Sequence, residues 1–318
     1  MKVLRHAALA TTLATTVVAS VLTAGCASHS SGQSSAQSSG RATGAIAAAA
    51  HTESARRAAT PKVTKLLVVV EENHSLSQMK AGMPYTFGLA KKYGYATRYR
   101  AITHPSEPNY IAIASGKTYG IQDDADPSAH RLGGTSVFGQ ALARGRTAAA
   151  YLQSMPGKCA TTPSGDYAVK HNPWAYFVKE RRGCRAHDLP MTRFAPAVTA
   201  GSLPRVGMVI PDLQHDAHDG TLKKADTWFK SVMTKVFAGP DWKSGHLAVV
   251  LTADEDDRAH GNRVLTVVIH RSQQHHVVDT RLNHYSLTRL YEDVAHLPYL
   301  NGARTARSMS KAFGLPVG

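Results

Sequence analysis

Blocks of apolar residues alternate with polar, turn-forming segments along the chain from about residue 60 onward. Short apolar runs of the kind that form buried strands occupy Lys65–Val70, Ala148–Leu152, Val206–Ile210, His246–Leu251 and Val264–Ile269. Helical patterning covers Tyr85–Tyr93, Tyr110–Ser115, Leu222–Val236 and Ser286–Ala295. This alternation predicts an α/β fold with Lys65–Val70 as a central parallel strand. No internal repeat or second linker is visible, which predicts one domain over residues 61–318.

The first sixty residues have a different pattern, which is typical of an export signal. Lys2 and Arg5 precede an apolar segment that ends in small residues before Cys26. This pattern predicts a lipoprotein-type signal peptide over residues 1–26, with Cys26 as the lipidated first residue of the mature chain. The alternative is an ordinary secretory signal with an incidental cysteine. The Ser/Gly/Ala-rich segment 27–60 is predicted to be a flexible tether.

No later segment is long and apolar enough to cross a membrane. We therefore expect the domain to lie on the extracellular side of a bacterial membrane, anchored through Cys26, or to be secreted. Removing Cys26 leaves Cys159 and Cys184, an even pair in a chain destined for an oxidising compartment. A disulfide between them is predicted, with two free thiols as the alternative.

The chain is strongly basic, with 37 lysine and arginine residues against 22 acidic residues and a formal net charge of +15. This balance favours anionic partners such as phosphate esters, acidic lipid surfaces or cell-wall polymers, although a generally basic surface without a specific partner would have the same composition. No nucleic-acid-binding motif is present, so dedicated nucleic-acid binding is not expected. The composition leaves the oligomeric state open.

The acidic segment Asp254–Asp257 directly follows the apolar run that ends at Leu251. Unpaired carboxylates are costly in a core, whereas a metal ion compensates their charge. Three further polar segments follow a predicted strand or open a helix, namely Glu72–His74, His104–Tyr110 and Pro211–Gly220. Ligands bind at the carboxyl ends of strands in open α/β sheets, so the four segments together predict a functional site there.

These four motifs, in this order, resemble the phosphoesterase family of bacterial acid phosphatases and phospholipases C, within the alkaline phosphatase superfamily. The segments Lys170–Phe177 and His284–Leu287 are also similar to that family, so the resemblance covers roughly Lys65–Phe313. It implies an alkaline phosphatase-like fold, with a central, mostly parallel sheet that is flanked by helices on both faces.

The resemblance also implies roles for individual residues. Ser106, at a helix start that favours phosphate, is the expected nucleophile. The expected ligands of one divalent metal ion are Glu72, Asn73, Ser106, Asp254 and Glu255. The expected substrate-binding residues are Asn73, Asn109, Asp216, His218, Asp219 and His284. Ala217 and Ala253 replace the bulkier methionine and tryptophan usual in the family, and are expected to open space beside the site.

Chemistry supports the same roles independently of the family. A serine hydroxyl is a weak nucleophile at neutral pH and needs a base or a metal ion to activate it. Glu72, Asp254 and Glu255 could hold a calcium, magnesium, manganese or zinc ion beside Ser106, and a protonated His218 could donate to the leaving alcohol. The expected outer neighbours of this set are Asp256 and Asp257, whereas His275 and His276 are expected in a surface turn.

The leading prediction is an exported, metal-dependent phosphomonoesterase that acts through a phosphoserine intermediate. A phospholipase C-like phosphodiesterase is the alternative enzyme, and a tethered lipoprotein that binds phosphorylated ligands without turnover is the alternative of another class.

Overall fold

The apolar runs form an eight-stranded sheet in the computed structural model, which describes residues 60–318. The predicted signal peptide, the tether and Cys26 lie outside these residues. The strands of both sheets, in chain order, are β1 (Lys65–Glu71), β2 (Gly94–Ala96), β3 (Tyr99–Arg100), β4 (Ala148–Leu152), β5 (Asp188–Pro190), β6 (Val206–Ile210), β7 (Leu247–Ala253), β8 (Thr266–Ile269), β9 (His276–Val278) and β10 (Leu282–Asn283). The main sheet has the order β5-β4-β6-β1-β7-β8-β2-β9, and β3 pairs with β10 in a small second sheet.

Strand β1 lies in the middle of the main sheet, between β6 and β7, and is parallel to both. Its residues Leu66–Val70 are buried, as is every residue of β6 and β7. Burial on both faces explains why these strands are continuous apolar runs without alternation. The parallel pairing continues through β4 to β5, so five adjacent strands point their carboxyl ends to one edge.

Beyond β7, the sheet contains both parallel and antiparallel strand pairs. Strand β8 runs antiparallel to both β7 and β2, whereas β2 and β9 are parallel. The predicted strand Val264–Ile269 corresponds to β8, which begins two residues later. His276 is the first residue of β9 and its ring packs edge-on against Phe313, so its predicted position in a surface turn is wrong. His275 is exposed, as predicted.

Ten helices are described between residues 60 and 318, together with five short 3₁₀ segments. They are α1 (Leu76–Gly82), α2 (Pro84–Lys92), α3 (Ser106–Ser115), α4 (Val137–Ala143), α5 (Arg181–His187), α6 (Phe194–Thr199), α7 (Leu222–Ala238), α8 (Pro240–Lys243), α9 (His284–Ala295) and α10 (Met309–Ala312). Helices α3, α4 and α9 pack together as one layer, and α1, α2, α6, α7 and α8 form a second. The predicted α/β architecture, with a mostly parallel sheet flanked by helices, is confirmed.

Helix α3 begins four residues earlier than the apolar run Tyr110–Ser115 indicates. Pro105 is its N-cap, and Ser106 is its first residue. The helix ends at Gly116, whose left-handed φ of 70° allows its N–H to bond back to Ala112. All ten residues of α3 are buried, which removes the polar face that would reveal a surface helix in the sequence.

The predicted disulfide joins Cys159 to Cys184 and ties the loop after β4 to helix α5. Among the described residues, every helix is too short or too polar to span a bilayer.

Candidate active site

The candidate site lies at the carboxyl edge of the parallel strands, where three segments that are distant in sequence meet. Glu72 directly follows β1, and Asp254 directly follows β7, its neighbour in the sheet. The N–H of Asp254 donates to the carbonyl of Glu71, which keeps the two strand ends in register. Ser106 opens α3 at the same place. The convergence predicted from the strand-end pattern is therefore present.

Ser106 is hydrogen-bonded to Glu72. The Ser106 hydroxyl donates to Oε2 of Glu72 at 3.0 Å, and both residues are almost completely buried. The hydroxyl is therefore held by the acidic group that directly follows β1.

The Asp254 carboxylate is held by the backbone. Its Oδ1 accepts from the N–H of Asn73 at 3.2 Å and from the N–H of Glu255 at 2.7 Å, while Oδ2 lacks a partner among the described residues. Asn73 adopts a left-handed φ of 48°, a conformation that asparagine tolerates better than most residues. The backbone of Asn73 thus orients one of the predicted metal ligands.

Burying the ionised acidic groups of the site costs free energy unless a cation compensates their charge. Burial, followed by the charges of Asp254 and Asp216, raises the pKa of Glu72 well above its ordinary value. Burial raises the pKa of Asp254, and burial together with Asp254 raises the pKa of Glu255 to about 9. One oxygen of Glu72 and one of Asp254 are buried without a hydrogen-bond partner in the described part of the chain. A divalent cation would compensate this charge and satisfy these oxygens, so the residues fit a metal ion.

Glu255 makes contacts of its own with Asn109 and His104. Asn109 donates to its Oε2 at 3.1 Å, and Nδ1 of His104 lies 3.1 Å from its Oε1. Other clusters, among them Glu107 with Asp123 and His130, and Asp256 with Asp257 and His260, bring three potential ligand atoms within 4.8 Å of one another. Among the described residues, the carboxylates of Glu72, Asp254 and Glu255 do not form a three-atom cluster as compact as these. The ligand set predicted from the sequence also includes the Ser106 hydroxyl.

His171 is a site residue to which the sequence motifs assigned no role. Its Nε2 lies 3.2 Å from Glu72, and its Nδ1 lies 3.2 Å from Asp216. Its ring stacks on Tyr110 with centroids 4.9 Å apart. Burial lowers the pKa of His171 to about 3, so the imidazole lies close to the two carboxyl groups without adding charge. The segment Lys170–Phe177 matched the family, which is the signal that could have identified this residue.

Lys170 is a second site residue that the sequence did not assign. Its ammonium lies 3.1 Å from Asp124 and 3.3 Å from Nε2 of His218. Desolvation lowers its pKa, but the carboxylates of Glu72, Asp124 and Asp254 more than offset that effect and raise it overall. Lys170 therefore brings a stable positive charge to the site.

A cavity of about 270 Å³ opens above Ser106. The described residues that line it include three with basic side chains, Lys170, His218 and Arg258. The remaining lining residues are Asn73, Pro105, Ser106, Asp124, Glu255, Asp256 and Asp257. A small anion in this space would lie against the Ser106 hydroxyl, near the positive charges of Lys170 and Arg258 and also near four carboxyl groups.

Two predicted substrate-binding residues do not reach this cavity. Both ring nitrogens of the fully buried His284 are hydrogen-bonded, Nε2 with the carbonyl of Asp254 at 2.6 Å and Nδ1 with the hydroxyl of Tyr99 at 3.0 Å. Asn109 is also fully buried, and its side chain bonds the loop before α3 and Glu255. The predicted substrate contacts of both residues are corrected to supporting roles, because neither side chain has a free group that faces the cavity.

Asp216 and Asp219 act on the site through histidines. Asp216 is buried and accepts from the N–H of His218 at 2.8 Å, in addition to its contact with His171. The more exposed Asp219 lies 2.7 Å from Nδ1 of His218. His218 itself lines the cavity, so among Asp216, His218 and Asp219 it is the residue positioned to touch a substrate.

The outer acidic residues organise the loop after β7. The side chain of Asp256 accepts from the N–H groups of Arg258, His260 and Asn262, and it also contacts His104. Asp257 contacts the ring of His260. This arrangement agrees with their predicted place outside the ligand set, although both also line the cavity.

Ala217 and Ala253 are almost completely buried and do not line the cavity. The expected opening of space beside the site by these two small residues is therefore not present.

Comparison with known proteins identifies relatives over most of the chain. The model of the Phosphoesterase family matches residues 77–298. A phosphatidylinositol-3-phosphatase of Mycobacterium tuberculosis is 29% identical over 262 residues, which cover 80% of this chain and 85% of the relative. A probable acid phosphatase of Kluyveromyces lactis is 29% identical over 227 residues, covering 67% of this chain and 53% of the relative. The chain thus spans about half the length of that fungal relative.

Solved structures show the same fold. A protein in the alkaline phosphatase superfamily from Vibrio parahaemolyticus aligns with a TM-score of 0.56 and 10% identity, over 80% of this chain and 72% of that one. The lipoteichoic acid synthase LtaP of Listeria monocytogenes aligns with a TM-score of 0.52 and 8% identity, over 77% of this chain and 76% of its own. At such low identity the likeness concerns the fold alone.

Proposed function

The chain belongs to the phosphoesterase family, and we propose that it is an exported, metal-dependent phosphomonoesterase that acts through a phosphoserine on Ser106. The family and the phosphatases among its relatives establish a hydrolase of phosphoric esters. The metal dependence, the intermediate and the export are our proposals.

One observation carries the proposal. The Ser106 hydroxyl donates to Glu72 at 3.0 Å at the base of a cavity whose lining includes Lys170, His218 and Arg258. A serine beside an acceptor, with the positive charges of Lys170 and Arg258 in the recess beside it, is the arrangement that nucleophilic attack on a phosphoryl group requires. The position of Ser106 at the first turn of the ten-residue helix α3 adds the favourable field of a helix N-terminus.

The residues proposed to hold the divalent ion are Glu72, Asn73, Ser106, Asp254 and Glu255. Such an ion lowers the pKa of a coordinated hydroxyl and neutralises phosphoryl charge. Glu72 accepts the hydrogen bond of the Ser106 hydroxyl and directs the oxygen toward the cavity. The backbone N–H groups of Asn73 and Glu255 fix the Asp254 carboxylate on the other side.

The cavity residues bind and orient the ester. Lys170 and Arg258 supply positive charge to the phosphoryl oxygens, whose negative charge is spread over them in the transition state. Attack by Ser106 forms the phosphoserine and breaks the bond to the leaving alcohol. His218, whose Nδ1 contacts Asp219, lies at the cavity wall where it can protonate that alcohol. Water then hydrolyses the phosphoserine and restores the free hydroxyl.

The names of the relatives favour monoesters over diesters. The Mycobacterium tuberculosis relative is named as a phosphatidylinositol-3-phosphatase, and the Kluyveromyces lactis relative is named as a probable acid phosphatase. We therefore place a phosphate monoester first as substrate, and a phospholipase C-like diester remains the alternative.

The Cys159–Cys184 disulfide supports the proposal of export. Stable disulfides form in oxidising compartments and are rare in the cytosol. Lipidation of Cys26 is proposed from the sequence pattern alone, since this residue lies outside the described part of the chain.

The proposal is tested by phosphate release from an aryl phosphate, with each of the four candidate metals added to the chelator-treated protein. We expect Ser106→Ala to reduce kcat by at least about 10³-fold while the protein stays folded. The matched control is Ser115→Ala, the last residue of the same helix, where the lost hydroxyl bonds only backbone carbonyls.

Full activity of Ser106→Ala would refute the assignment of Ser106 as the nucleophile. If turnover were the same with and without divalent metal, the proposed metal dependence would be refuted. A higher kcat/KM for a phosphatidylcholine-type diester than for the aryl phosphate would favour the diesterase. Tight binding of phosphate esters without turnover under every condition would favour the non-catalytic binding protein.

A further inference from the structure

The largest of the described cavities lies outside the candidate active site and is lined by arginines. It has a volume of about 710 Å³, against about 270 Å³ for the cavity above Ser106, and the two share no lining residue. Five arginines line it, and none of the described residues in its lining is acidic. They are Arg98, Arg100, Arg263, Arg281 and Arg307.

These arginines lack acidic partners within the described residues. The ion pairs described between residues 60 and 318 involve lysine or histidine as the cation, and none of them involves arginine. All five arginine residues are exposed, and the side chain of Arg100 donates to the backbone carbonyl of Gly261. Five positive charges around one recess repel each other, so an anionic ligand would relieve an unfavourable arrangement.

Two short paired strands and an adjacent loop bring four of these arginines close together in space. Arg98 directly precedes the short strand β3, and Arg100 is the second residue of that strand. Strand β3 pairs with β10, and Arg281 directly precedes β10. Arg263 faces Arg100 through an isolated backbone bridge. The two-stranded sheet and the bridge beside it therefore bring four of the five arginines close together.

The recess suits a ligand with several anionic groups. A guanidinium group binds phosphate with two parallel hydrogen bonds, so five of them exceed the need of a single phosphate ion. A volume of about 710 Å³ is within the range of small-molecule sites. Asn283 and Ser286, at the start of α9, add polar groups to the same lining.

We propose that this recess, which we call the arginine recess, is a separate binding site for a ligand that carries clustered phosphate groups. Binding in the arginine recess does not require turnover at Ser106. The expected ligand is a ring compound that carries several phosphate groups, or a short polyphosphate. Such groups occur on free molecules and on lipid headgroups, and the experiment separates these two sources.

The test measures binding of myo-inositol hexakisphosphate by isothermal titration calorimetry. The background is Ser106→Ala, so that the probe is not consumed if the proposed hydrolysis occurs. We expect Arg98→Ala combined with Arg281→Ala to weaken the affinity at least about tenfold. Inorganic phosphate, measured in parallel, is expected to bind the unchanged recess much more weakly than the clustered probe.

The matched control is Arg144→Ala combined with Arg271→Ala, which removes the same net charge from two exposed arginines outside the recess. We expect it to change the affinity less than about twofold. The pair Arg98→Lys and Arg281→Lys keeps the charge and is expected to retain part of the affinity, because lysine lacks the paired donors. Thermal unfolding of every variant checks that the fold is intact.

Equal weakening by the two alanine pairs would overturn the proposal, since it would indicate a general effect of charge. Absence of binding, or equal affinity for inorganic phosphate, would overturn it as well. Phosphatidylcholine vesicles with and without phosphatidylinositol bisphosphate then identify the source. Binding that needs the phosphorylated lipid supports a headgroup ligand, whereas binding of the soluble probe alone supports a free molecule. Neither result depends on whether the chain hydrolyses phosphate esters.

Discussion

Asn109 joins the loop before α3 to the acidic strand end, although its side chain does not reach the cavity. Its Oδ1 accepts from the N–H groups of Ile102 and Thr103, and its Nδ2 donates to Glu255 and to two backbone carbonyls. One buried amide thus satisfies several backbone groups and positions a predicted metal ligand.

Replacing Asn109 by alanine is expected to lower both stability and activity. The substitution leaves buried backbone groups without partners, which costs about 3 kcal/mol in the free energy of unfolding. Urea unfolding and kcat for an aryl phosphate measure the two effects. Gln140→Ala is the control, since that side chain makes a single exposed hydrogen bond to Pro298. Unchanged stability in Asn109→Ala would contradict this role.

A buried carboxyl beside the disulfide makes the stability of the protein depend on pH. Asp188 is fully buried, and it accepts from Asn172 at 2.8 Å. Burial raises its pKa to about 7 from an ordinary value of 3.8. The folded chain therefore keeps a proton that the unfolded chain releases, so this group lowers stability progressively as the pH rises from about 4 to about 7.

We expect Asp188→Asn to remove this dependence. Relative to the unchanged protein, the variant should gain a few kcal/mol in the free energy of unfolding between pH 5 and pH 8. Urea unfolding at the two pH values measures the difference, and the exposed Asp166→Asn is the control. An equal effect of Asp188→Asn at both pH values would show that the folded-state pKa of Asp188 is not raised.

Some residues of the site could be predicted because a simple rule locates them. Glu72 and Asp254 follow apolar runs, and strands that point the same way bring such residues to one edge. His171 and Lys170 could not be assigned in this way. They lie in a 3₁₀ segment without hydrophobic periodicity, and only the tertiary fold brings them to Glu72 and Asp124.

At the level of elements, the loop between β6 and α7 positions His218 and Asp216. Gly220 closes this loop, and its N–H donates to the carbonyl of Leu213. A Cβ at this position would lie 2.0 Å from the backbone oxygen of Gln214. The close approach requires glycine on steric grounds, because backbone atoms cannot rotate away as a side chain can.

Gly220→Ala is therefore expected to displace the loop and reduce kcat at least about tenfold, through the misplacement of His218. Steady-state kinetics with an aryl phosphate measures the loss. Gly88→Ala is the matched control, since that glycine is inside helix α2 with open space around its Cβ. The control should keep full activity and gain about 0.5 to 1 kcal/mol of stability. Normal kcat in Gly220→Ala would show that the loop adapts.

The long elements could be predicted from the sequence, whereas the short ones could not. Strands β1, β6 and β7 are apolar runs of five to seven residues. Strands β2, β3, β5, β9 and β10 have two or three residues, too few to show a period, and their pairing depends on neighbours that are distant in sequence. The arginine recess is built on two of these short strands, so its arginines could not be grouped from the sequence.

For the whole molecule, the proposed ion should couple to folding. A ligand that binds only the folded chain raises the free energy of unfolding by about 2.7 kcal/mol at a hundred times its Kd. We expect the correct divalent ion to raise the melting temperature of the unchanged protein, and not that of Glu72→Gln or Asp254→Asn. Thermal unfolding measures this without any substrate.

Glu292→Gln is the control for that experiment. Burial raises the pKa of Glu292 to about 8, and the carboxyl accepts from the N–H of Leu300 at 2.6 Å, outside the candidate site. This variant should respond to the ion as the unchanged protein does. If Glu72→Gln gained the same stabilisation, the ion would be bound elsewhere.

The place of β1 between β6 and β7 has a consequence for the order in which the protein can be assembled. The central strand is made early, but both of its neighbours come from residues after 205, so β1 has no partner on either side for most of the time that the chain is synthesised. Long-range pairings of this kind form late and slow folding. A chain released before residue 254 would contain Ser106, Glu72 and His171 and still lack the second wall of the site. A nascent chain is therefore expected to be inactive until nearly all of it has emerged, and a chain that crosses a membrane unfolded would gain its activity only on the far side.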